Sequence, residues 1–156
     1  MKQYRAKFAT PFAVMGILSD EDGLYGIDFL PLDTPTSEPQ DLVAEMVCKQ
    51  LGMYLNNPDY RFDLPLHLHG TPHRLKVWQG LMNIPCGSVL NYGDLAKMLH
   101  SSPRAVGQAC GANPIPVIIP CHRVLAKSGL GGFMNHSSGA PLLIKQWLLK
   151  HEGIKQ

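Results

Sequence analysis

The chain has 156 residues, enough for one compact unit or two small lobes, and 45% hydrophobic with 17% charged residues excludes a disordered or fibrous protein. No apolar run approaches the roughly 20 residues of a membrane-spanning helix. The short apolar run at residues 12–18 leads directly into SDEDG and does not resemble a signal peptide. We therefore expect a cytoplasmic protein with no membrane partner.

The net charge of +2 conceals a difference between the two halves. Residues 1–70 carry 5 Lys or Arg against 10 Asp or Glu, whereas residues 71–156 carry 9 against 2. A basic half is typical of a protein that binds a polyanion such as nucleic acid. A solvated surface has the same composition, so charge alone leaves both interpretations open.

The first half is predicted to form a small sheet and one helix. The run FAVMGILSDEDGLYGIDFL predicts a β-hairpin, with two apolar strands around an Asp-Glu-Asp-Gly turn. Helical spacing of apolar residues predicts a helix over residues 41–56, stopped by Asn57-Pro58. Its expected inward residues are Leu42, Val43, Met46, Val47, Leu51, Tyr54 and Leu55. The alternating run YRFDLPLHLHG predicts a further strand.

A domain boundary is predicted near Gly70, so that the domains are residues 1–70 and 71–156. Thr71-Pro72 predicts the start of a helix, with an N-cap followed by proline at the first helical position. Its expected buried face comprises Leu75, Trp78, Leu81 and Met82. The amphipathic pattern of PLLIKQWLLKHEG predicts a last helix ending at Gly153. Its inward residues are expected to be Leu143, Ile144, Trp147 and Leu148.

Between these two helices lies a helix-turn-helix pattern, with short helices at residues 92–99 and 104–111 separated by the turn HSSP. Small residues make the second helix thin, namely Ala105, Gly107, Ala109 and Gly111. A thin helix suits close approach to a narrow groove of DNA. It also suits close packing against another helix, and both interpretations remain.

The candidate reactive group is a cysteine in the stretch PVIIPCHRVLAKSG, where Cys121, His122 and Arg123 follow an apolar run expected to be a buried strand. A thiol becomes a nucleophile where positive charge or a base favours the thiolate. Adjacent side chains point in different directions, so a direct contact between Cys121 and His122 is not assumed, and a bridging water would connect them. Of the two acids in this half, Asp94 is interpreted as a helix cap and Glu152 as the group that orients His122. An unreactive buried thiol is the alternative.

The other cysteines and a histidine cluster are the remaining candidates for metal binding. The four cysteines, at positions 48, 86, 110 and 121, include no CxxC pair, and without an export signal we expect reduced thiols. The segment HLHGTPH supplies His67, His69 and His73, of which the first two share a strand face. Exposed strand histidines are the simpler interpretation, so no metal is predicted.

Several blocks, taken in order, resemble the O6-alkylguanine-DNA alkyltransferase family, also called methylated-DNA–protein-cysteine methyltransferases. They are VWQGLMNIPCGS, VLNYGDLA, RAVGQACGANP, IPCHRV and KQWLLKHEG, and the likeness continues upstream through FDLPL and GLYGIDF, covering nearly the whole chain. A bare Cys-His-Arg is a weak signal, whereas the ordered set is specific. The resemblance implies an α+β fold. The N-terminal lobe would be a ribonuclease H-like antiparallel sheet with a helix, and the C-terminal lobe a mainly helical winged-helix/helix-turn-helix unit for DNA binding and alkyl transfer.

The resemblance also implies roles for individual residues. Cys121 would accept the alkyl group, with His122 (through a water) and Glu152 promoting the thiolate. Asn113 would tie the preceding turn to the acceptor site, and Lys145 would lie near it. Tyr92 would stand at the mouth of the pocket and donate a proton toward guanine N3, while Arg104 would replace the extruded base in the stack. Further DNA contacts are expected from Ala105, Gly107, Lys127 and His73. The substrate pocket is expected to comprise Tyr92, Arg123, Val124 and Phe133.

The implied reaction is stoichiometric repair of double-stranded DNA that contains O6-alkylguanine. A base inside a duplex is out of reach of a buried thiol, so the base must flip out. The product is a thioether that water does not reverse, so we expect one turnover per molecule, no cofactor and a monomer. The sequence departs from the family pattern in the loop at residues 129–141, where the small residues are spread over residues 135–139, and at His73, where the family has phenylalanine.

Two other classes of function remain open. One is a non-catalytic protein that binds alkylated DNA and recruits another repair factor; the retained Cys121, His122 and Glu152 argue against it. The other is a cysteine hydrolase, for which no oxyanion-hole pattern is evident.

Overall fold

In a computed structural model the protein forms two compact units, residues 1–69 and 70–156. The structure describes residues 2–127, 129–134 and 139–155. Of the loop at residues 129–141 that was expected to differ from the family, residues 135–138 fall outside the described residues. The predicted α+β class is confirmed: a small antiparallel sheet and five helices are present in the described chain. Within these residues no helix is both long and apolar enough to cross a membrane.

The first unit contains a three-stranded antiparallel sheet in the order β1-β2-β3, formed by Ala6–Ala9, Val14–Asp20 and Gly23–Leu30. The predicted hairpin is β2 and β3; β1 was not predicted. Asp20 shapes the turn, because its Oδ1 accepts the N–H groups of Asp22 and Gly23 at 2.8 and 3.1 Å. Gly23 has φ of +143°, and a Cβ there would lie 2.6 Å from the Pro65 carbonyl oxygen.

Helix α1, Leu42–Asn56, packs against this sheet and is capped by Asp41, whose side chain accepts the Ala44 N–H at 2.7 Å. Its buried residues are Ala44, Val47, Leu51 and Tyr54. Leu42, predicted to face inward, is 72% exposed. It lies two positions before Ala44, about 200° around a helix of 3.6 residues per turn, on the opposite face.

The strand predicted over residues 60–70 is wrong. Only Leu66 forms an isolated bridge, to Leu24, with hydrogen bonds from Leu24 N to Pro65 O and from His67 N to Leu24 O. Pro65 has no N–H, so a regular ladder cannot continue through it. His67 turns its Nδ1 to Asp20 Oδ2 at 3.0 Å and its ring lies 4.4 Å from that of His69.

The second unit is mainly helical. Its helices are α2 Pro72–Met82, α3 Tyr92–Met98, α4 Pro103–Gly111 and α5 Ala140–His151. Two short parallel strands, β4 Leu90–Asn91 and β5 Val124–Leu125, pair with each other and were not predicted. Asp94, interpreted as the cap of α3, is instead in its first turn, and the Asn91 side chain caps the helix by accepting the Asp94 N–H at 2.7 Å.

Helices α2 and α4 are joined through Trp78, whose indole Nε1 donates to the Ala109 carbonyl at 2.9 Å. The buried residues of α2 are Val77, Trp78 and Leu81, and Leu75, predicted to be among them, is 37% exposed. The buried stripe of α5 is likewise shifted by one position. It comprises Ile144, Lys145, Leu148 and Leu149, and Leu143 is 66% exposed. This shift puts a lysine, not a leucine, on the inner face of α5.

Candidate active site

The segment that leads to Cys121 is a compact turn, not the predicted strand. Prolines at positions 114, 116 and 120 lack N–H groups, so a regular ladder is impossible. The Asn113 side chain supplies hydrogen bonds that a strand ladder would otherwise make. Its Nδ2 donates to Ile119 O at 2.8 Å and its Oδ1 accepts the Ile115 N–H at 3.0 Å. Between them the buried Val117 has φ of +76°, a costly left-handed conformation for a β-branched residue.

Replacing Asn113 by Ala is expected to destabilise the second unit by about 1–3 kcal/mol, since it leaves the buried Ile115 N–H without a partner. The Ile119 carbonyl loses one bond but keeps that from the Cys121 N–H at 2.8 Å. Denaturant unfolding measures the change. The control is Asn83→Ala at an exposed position after α2, for which we expect less than about 0.5 kcal/mol. Equal effects of the two substitutions would contradict the structural role of Asn113.

Cys121 begins a single 3-10 turn, Cys121–Arg123, and is 3% exposed. Burial raises the pKa of its thiol to about 11, although a hydrogen bond from Asn113 and the charge of Lys145 act in the opposite direction. The sequence interpretation relied on neighbours that hold the sulfur as a thiolate. In the structure burial outweighs them, so the resting group is a thiol and the site needs a base.

The base is available in His122, which is fully buried with its Nε2 at 2.8 Å from Glu152 Oε2. Burial raises the pKa of Glu152, but hydrogen bonds from His122 and Arg123 outweigh it and bring the pKa to about 2. Burial also lowers the pKa of His122, so the ring is neutral and Nε2–H donates to the carboxylate. The Nδ1 atom is then the acceptor, and it is buried without a hydrogen-bond partner in the described part of the chain.

Lys145 is fully buried on α5 and donates from Nζ to the carbonyl oxygens of Val124 and Gly132, both at 2.8 Å. Burial lowers its pKa to about 8, and the nearby thiols of Cys121 and Cys110 counteract this. The amine therefore fixes the chain after the 3-10 turn and supplies positive charge toward the sulfur.

The four predicted pocket residues are all at least partly buried. Val124 and Phe133 are buried, and Tyr92 is half-buried. Burial, followed by the nearby thiols of Cys110 and Cys121, raises the pKa of Tyr92 to about 12, so its phenol remains a proton donor. Arg123 is directed elsewhere: its guanidinium contacts Glu152 and the Ile84 carbonyl, so it braces the site instead of lining the pocket.

The predicted DNA contacts lie on or near the helix-turn-helix. Ser102 caps α4 by accepting the Ala105 N–H at 3.2 Å, and Arg104 is exposed in the first turn. Lys127 is also exposed. His73 is half-buried on α2 and its Nε2 lies 2.8 Å from Ser101 Oγ, so it joins α2 to the turn before α4.

The sequence analysis did not predict the ion pair between Arg123 and Glu152 or the proximity of Cys110 to Cys121. The second unit has nine Lys or Arg residues and only two acids, Asp94 and Glu152. Because Asp94 is exposed on α3, Glu152 is the acid of this unit that could pair with a buried cation. That shortage was the available signal for the Arg123–Glu152 pair.

A buried thiol with a histidine–carboxylate pair is the arrangement of an activated nucleophile. The helix-turn-helix in the same unit is typical of a DNA-binding protein. Residues 72–154 match the family model described as 6-O-methylguanine DNA methyltransferase, DNA binding domain. The methylated-DNA–protein-cysteine methyltransferase of Saccharolobus solfataricus is 36% identical over 148 residues, covering 95% of this chain and 94% of that protein. The chain belongs to this methyltransferase family, and the predicted enzyme class is confirmed.

Solved structures agree. The Mycobacterium tuberculosis O6-methylguanine methyltransferase has a TM-score of 0.81 at 30% identity, covering 97% of this chain and 93% of that one. Mycobacterium tuberculosis OGT in complex with DNA has a TM-score of 0.79 at 30% identity, with 96% and 91% covered. The corresponding methyltransferase of Pyrococcus kodakaraensis has a TM-score of 0.68 at 31% identity, with 95% and 97% covered.

Proposed function

We propose that the protein repairs double-stranded DNA by moving the alkyl group of O6-alkylguanine, chiefly methyl, onto Cys121, once per molecule and irreversibly. The observation that carries this proposal is the buried pair of His122 and Glu152, which leaves the histidine Nδ1 as a base on the same turn as the thiol. Residues 1–69 would serve as a structural unit, and residues 70–156 would bind DNA and perform the transfer.

The thiol requires this base because its own ionisation is weak. A pKa of about 11 leaves about one thiol in 10,000 ionised at pH 7. His122 Nδ1 would take the Cys121 proton through a water. The sulfur then attacks the alkyl carbon as the carbon–oxygen bond breaks and its electron pair passes to the guanine O6. A proton donated by Tyr92 toward guanine N3 would neutralise the leaving base, and the protein keeps a stable thioether.

The base would reach Cys121 by flipping out of the duplex. We propose that α4 lies in the minor groove and that Arg104, exposed in its first turn, fills the gap in the stack. Lys127 and His73 would contact phosphates, although the hydrogen bond between His73 and Ser101 also serves the fold. O4-alkylthymine has the same oxygen–alkyl bond and is a second substrate to test.

The surroundings of Gly107 favour the interpretation that α4 faces a DNA groove over the interpretation that its small residues pack against another helix. The buried face of α4 is Val106, Ala109 and Cys110, and a Cβ at Gly107 would have no atom within 4 Å. Nothing among the described residues requires glycine there, yet glycine in a helix costs about 1 kcal/mol relative to alanine. A partner that approaches the helix backbone closely explains why that loss is tolerated.

Replacing Gly107 by Leu is therefore expected to lower the affinity for duplex DNA by about 10-fold or more, which is about 1.4 kcal/mol, without lowering stability. Gly107→Ala, the matched control, should raise the free energy of unfolding by up to about 1 kcal/mol. DNA titration and denaturant unfolding measure the two quantities. Wild-type DNA affinity in the leucine variant would show that α4 does not face the groove.

A mass spectrum of the protein after reaction with excess duplex containing O6-methylguanine tests the proposal directly. We expect one added methyl group per molecule, on the peptide that contains Cys121, and one repaired guanine per protein. An unmodified duplex is the control. Continued turnover under excess substrate would indicate a hydrolase, and binding without transfer would indicate a recruiter; either result overturns the proposal.

A further inference from the structure

We propose that Arg123 is a positioning residue for alkyl transfer: its guanidinium holds the Glu152 carboxylate so that His122 remains neutral with Nδ1 as the proton acceptor. This inference rests on the proposed function, because it concerns how the same base is kept ready.

The geometry is that of a two-point clamp. Arg123 Nε donates to Glu152 Oε1 at 2.8 Å and Nη2 donates to Oε2 at 3.0 Å. The planar guanidinium matches both carboxylate oxygens, which a lysine ammonium cannot do. His122 Nε2 approaches Oε2 at 2.8 Å. The carboxylate orientation that Arg123 fixes is therefore also the one that orients the imidazole.

The clamp is anchored at a second element. Arg123 Nη1 donates to the carbonyl oxygen of Ile84 at 2.6 Å, two residues after the end of α2. Glu152 follows the last residue of α5. One guanidinium thus connects the ends of two helices, and its side chain is only 12% exposed. All three guanidinium nitrogens donate to groups of the protein itself, which separates the role of Arg123 from that of a pocket residue.

The charge of Arg123 matters as well as its shape. A buried carboxylate without a cation binds a proton more readily, and a lone carboxylate beside His122 would favour the imidazolium. Arg123 opposes both protonations: it stabilises the anionic Glu152 and, as a nearby cation, lowers the pKa of His122. An imidazolium cannot accept the Cys121 proton, so a neutral ring is the competent state.

Other titratable groups around the pair act in known directions. From α5, Lys145 lowers the pKa of His122. The buried face that α2 presents is apolar, formed by Val77, Trp78 and Leu81. Cys110 of α4 and Tyr92 of α3 are near the Cys121 thiol. None of these groups changes when Arg123 is replaced, so a shift in pH dependence reports on the clamp.

The test compares Arg123→Gln, Arg123→Lys and Lys150→Gln by the rate of methyl transfer at a series of pH values. Lys150 is exposed on α5 and controls for the loss of one positive charge. Arg123→Gln should move the acid limb of the profile to higher pH by about one to two units and slow transfer at pH 6 by about 10-fold or more. Binding to unmodified duplex should not change.

Arg123→Lys keeps the charge but loses the two-point geometry, so it should be about 10-fold slower with an acid limb within about half a pH unit of wild type. If the glutamine variant does not fold, the rate of the lysine variant still tests whether the two-point contact with Glu152 is needed. A lysine variant as fast as wild type, a glutamine variant with an unmoved acid limb, or the same shift in Lys150→Gln would overturn the inference. Failure of the wild-type protein to transfer methyl would instead refute the proposed function.

Discussion

Replacement of Cys121 by Ser is expected to abolish methyl transfer while DNA binding stays within about twofold of wild type. The hydroxyl is close in size to the thiol, so the buried turn is preserved, but it is much less acidic and its oxygen is a much weaker nucleophile toward an alkyl carbon than sulfur is. Removal of a catalytic nucleophile costs on the order of 10⁶-fold in rate in a well-studied hydrolase. Methyl transfer is read by mass spectrometry and binding by titration with an O6-methylguanine duplex.

The matched control is Cys110→Ala, which removes the neighbouring buried thiol. Burial, followed by the proximity of Cys121, raises the pKa of Cys110 to about 12, so it is a poorer nucleophile than Cys121. This variant should transfer at close to the wild-type rate. A methyl group found on Cys110, or residual transfer by the Cys121→Ser protein, would contradict the assignment of a single acceptor.

The sequence predicted helices well where apolar periodicity or a helix cap gave a clear local pattern. Apolar periodicity placed α1 and α5 within a few residues. The cap signal of Thr71-Pro72 placed the start of α2, where the Thr71 side chain accepts the Arg74 N–H. The inward faces were less accurate. Leu42 and Leu143 lie in the first turns of their helices, where few apolar neighbours define the stripe, and tertiary packing left both exposed.

Long-range strand pairing was beyond sequence reasoning. The pairing of β4 with β5 joins residues more than thirty positions apart through strands of two residues, too short for any periodic pattern. Composition and chemistry did predict that Cys121, His122 and Glu152 belong together. They could not show that burial raises the pKa of the Cys121 thiol more than nearby charge lowers it, because that balance depends on how deeply the 3-10 turn is buried.

Replacement of Glu152 by Gln is expected to slow methyl transfer by about 100-fold or more at pH 7 and to lower the free energy of unfolding by about 3–5 kcal/mol. The amide leaves the Arg123 guanidinium without its counter-charge and no longer fixes which nitrogen of His122 bears the proton. Asp94→Asn is the control, since this other acid of the unit is exposed on α3; its effects on rate and stability should be small. Similar losses in the two variants would mean that general charge balance, not the buried pair, is responsible.

The same pair predicts how stability depends on pH. The pKa of Glu152 is about 2 in the folded protein against an ordinary value of 4.5, so ionised Glu152 stabilises the fold fully above pH 4.5 and this contribution is lost as pH falls toward 2. The lowered pKa of His122 acts in the same direction, since a ring buried in its neutral form loses stability as pH falls below its ordinary 6.5. Denaturant unfolding at pH 7, 5 and 3 should therefore show a difference between wild type and Glu152→Gln that is largest at pH 7 and narrows toward pH 3. A difference independent of pH would mean that Glu152 is not held ionised by Arg123 and His122.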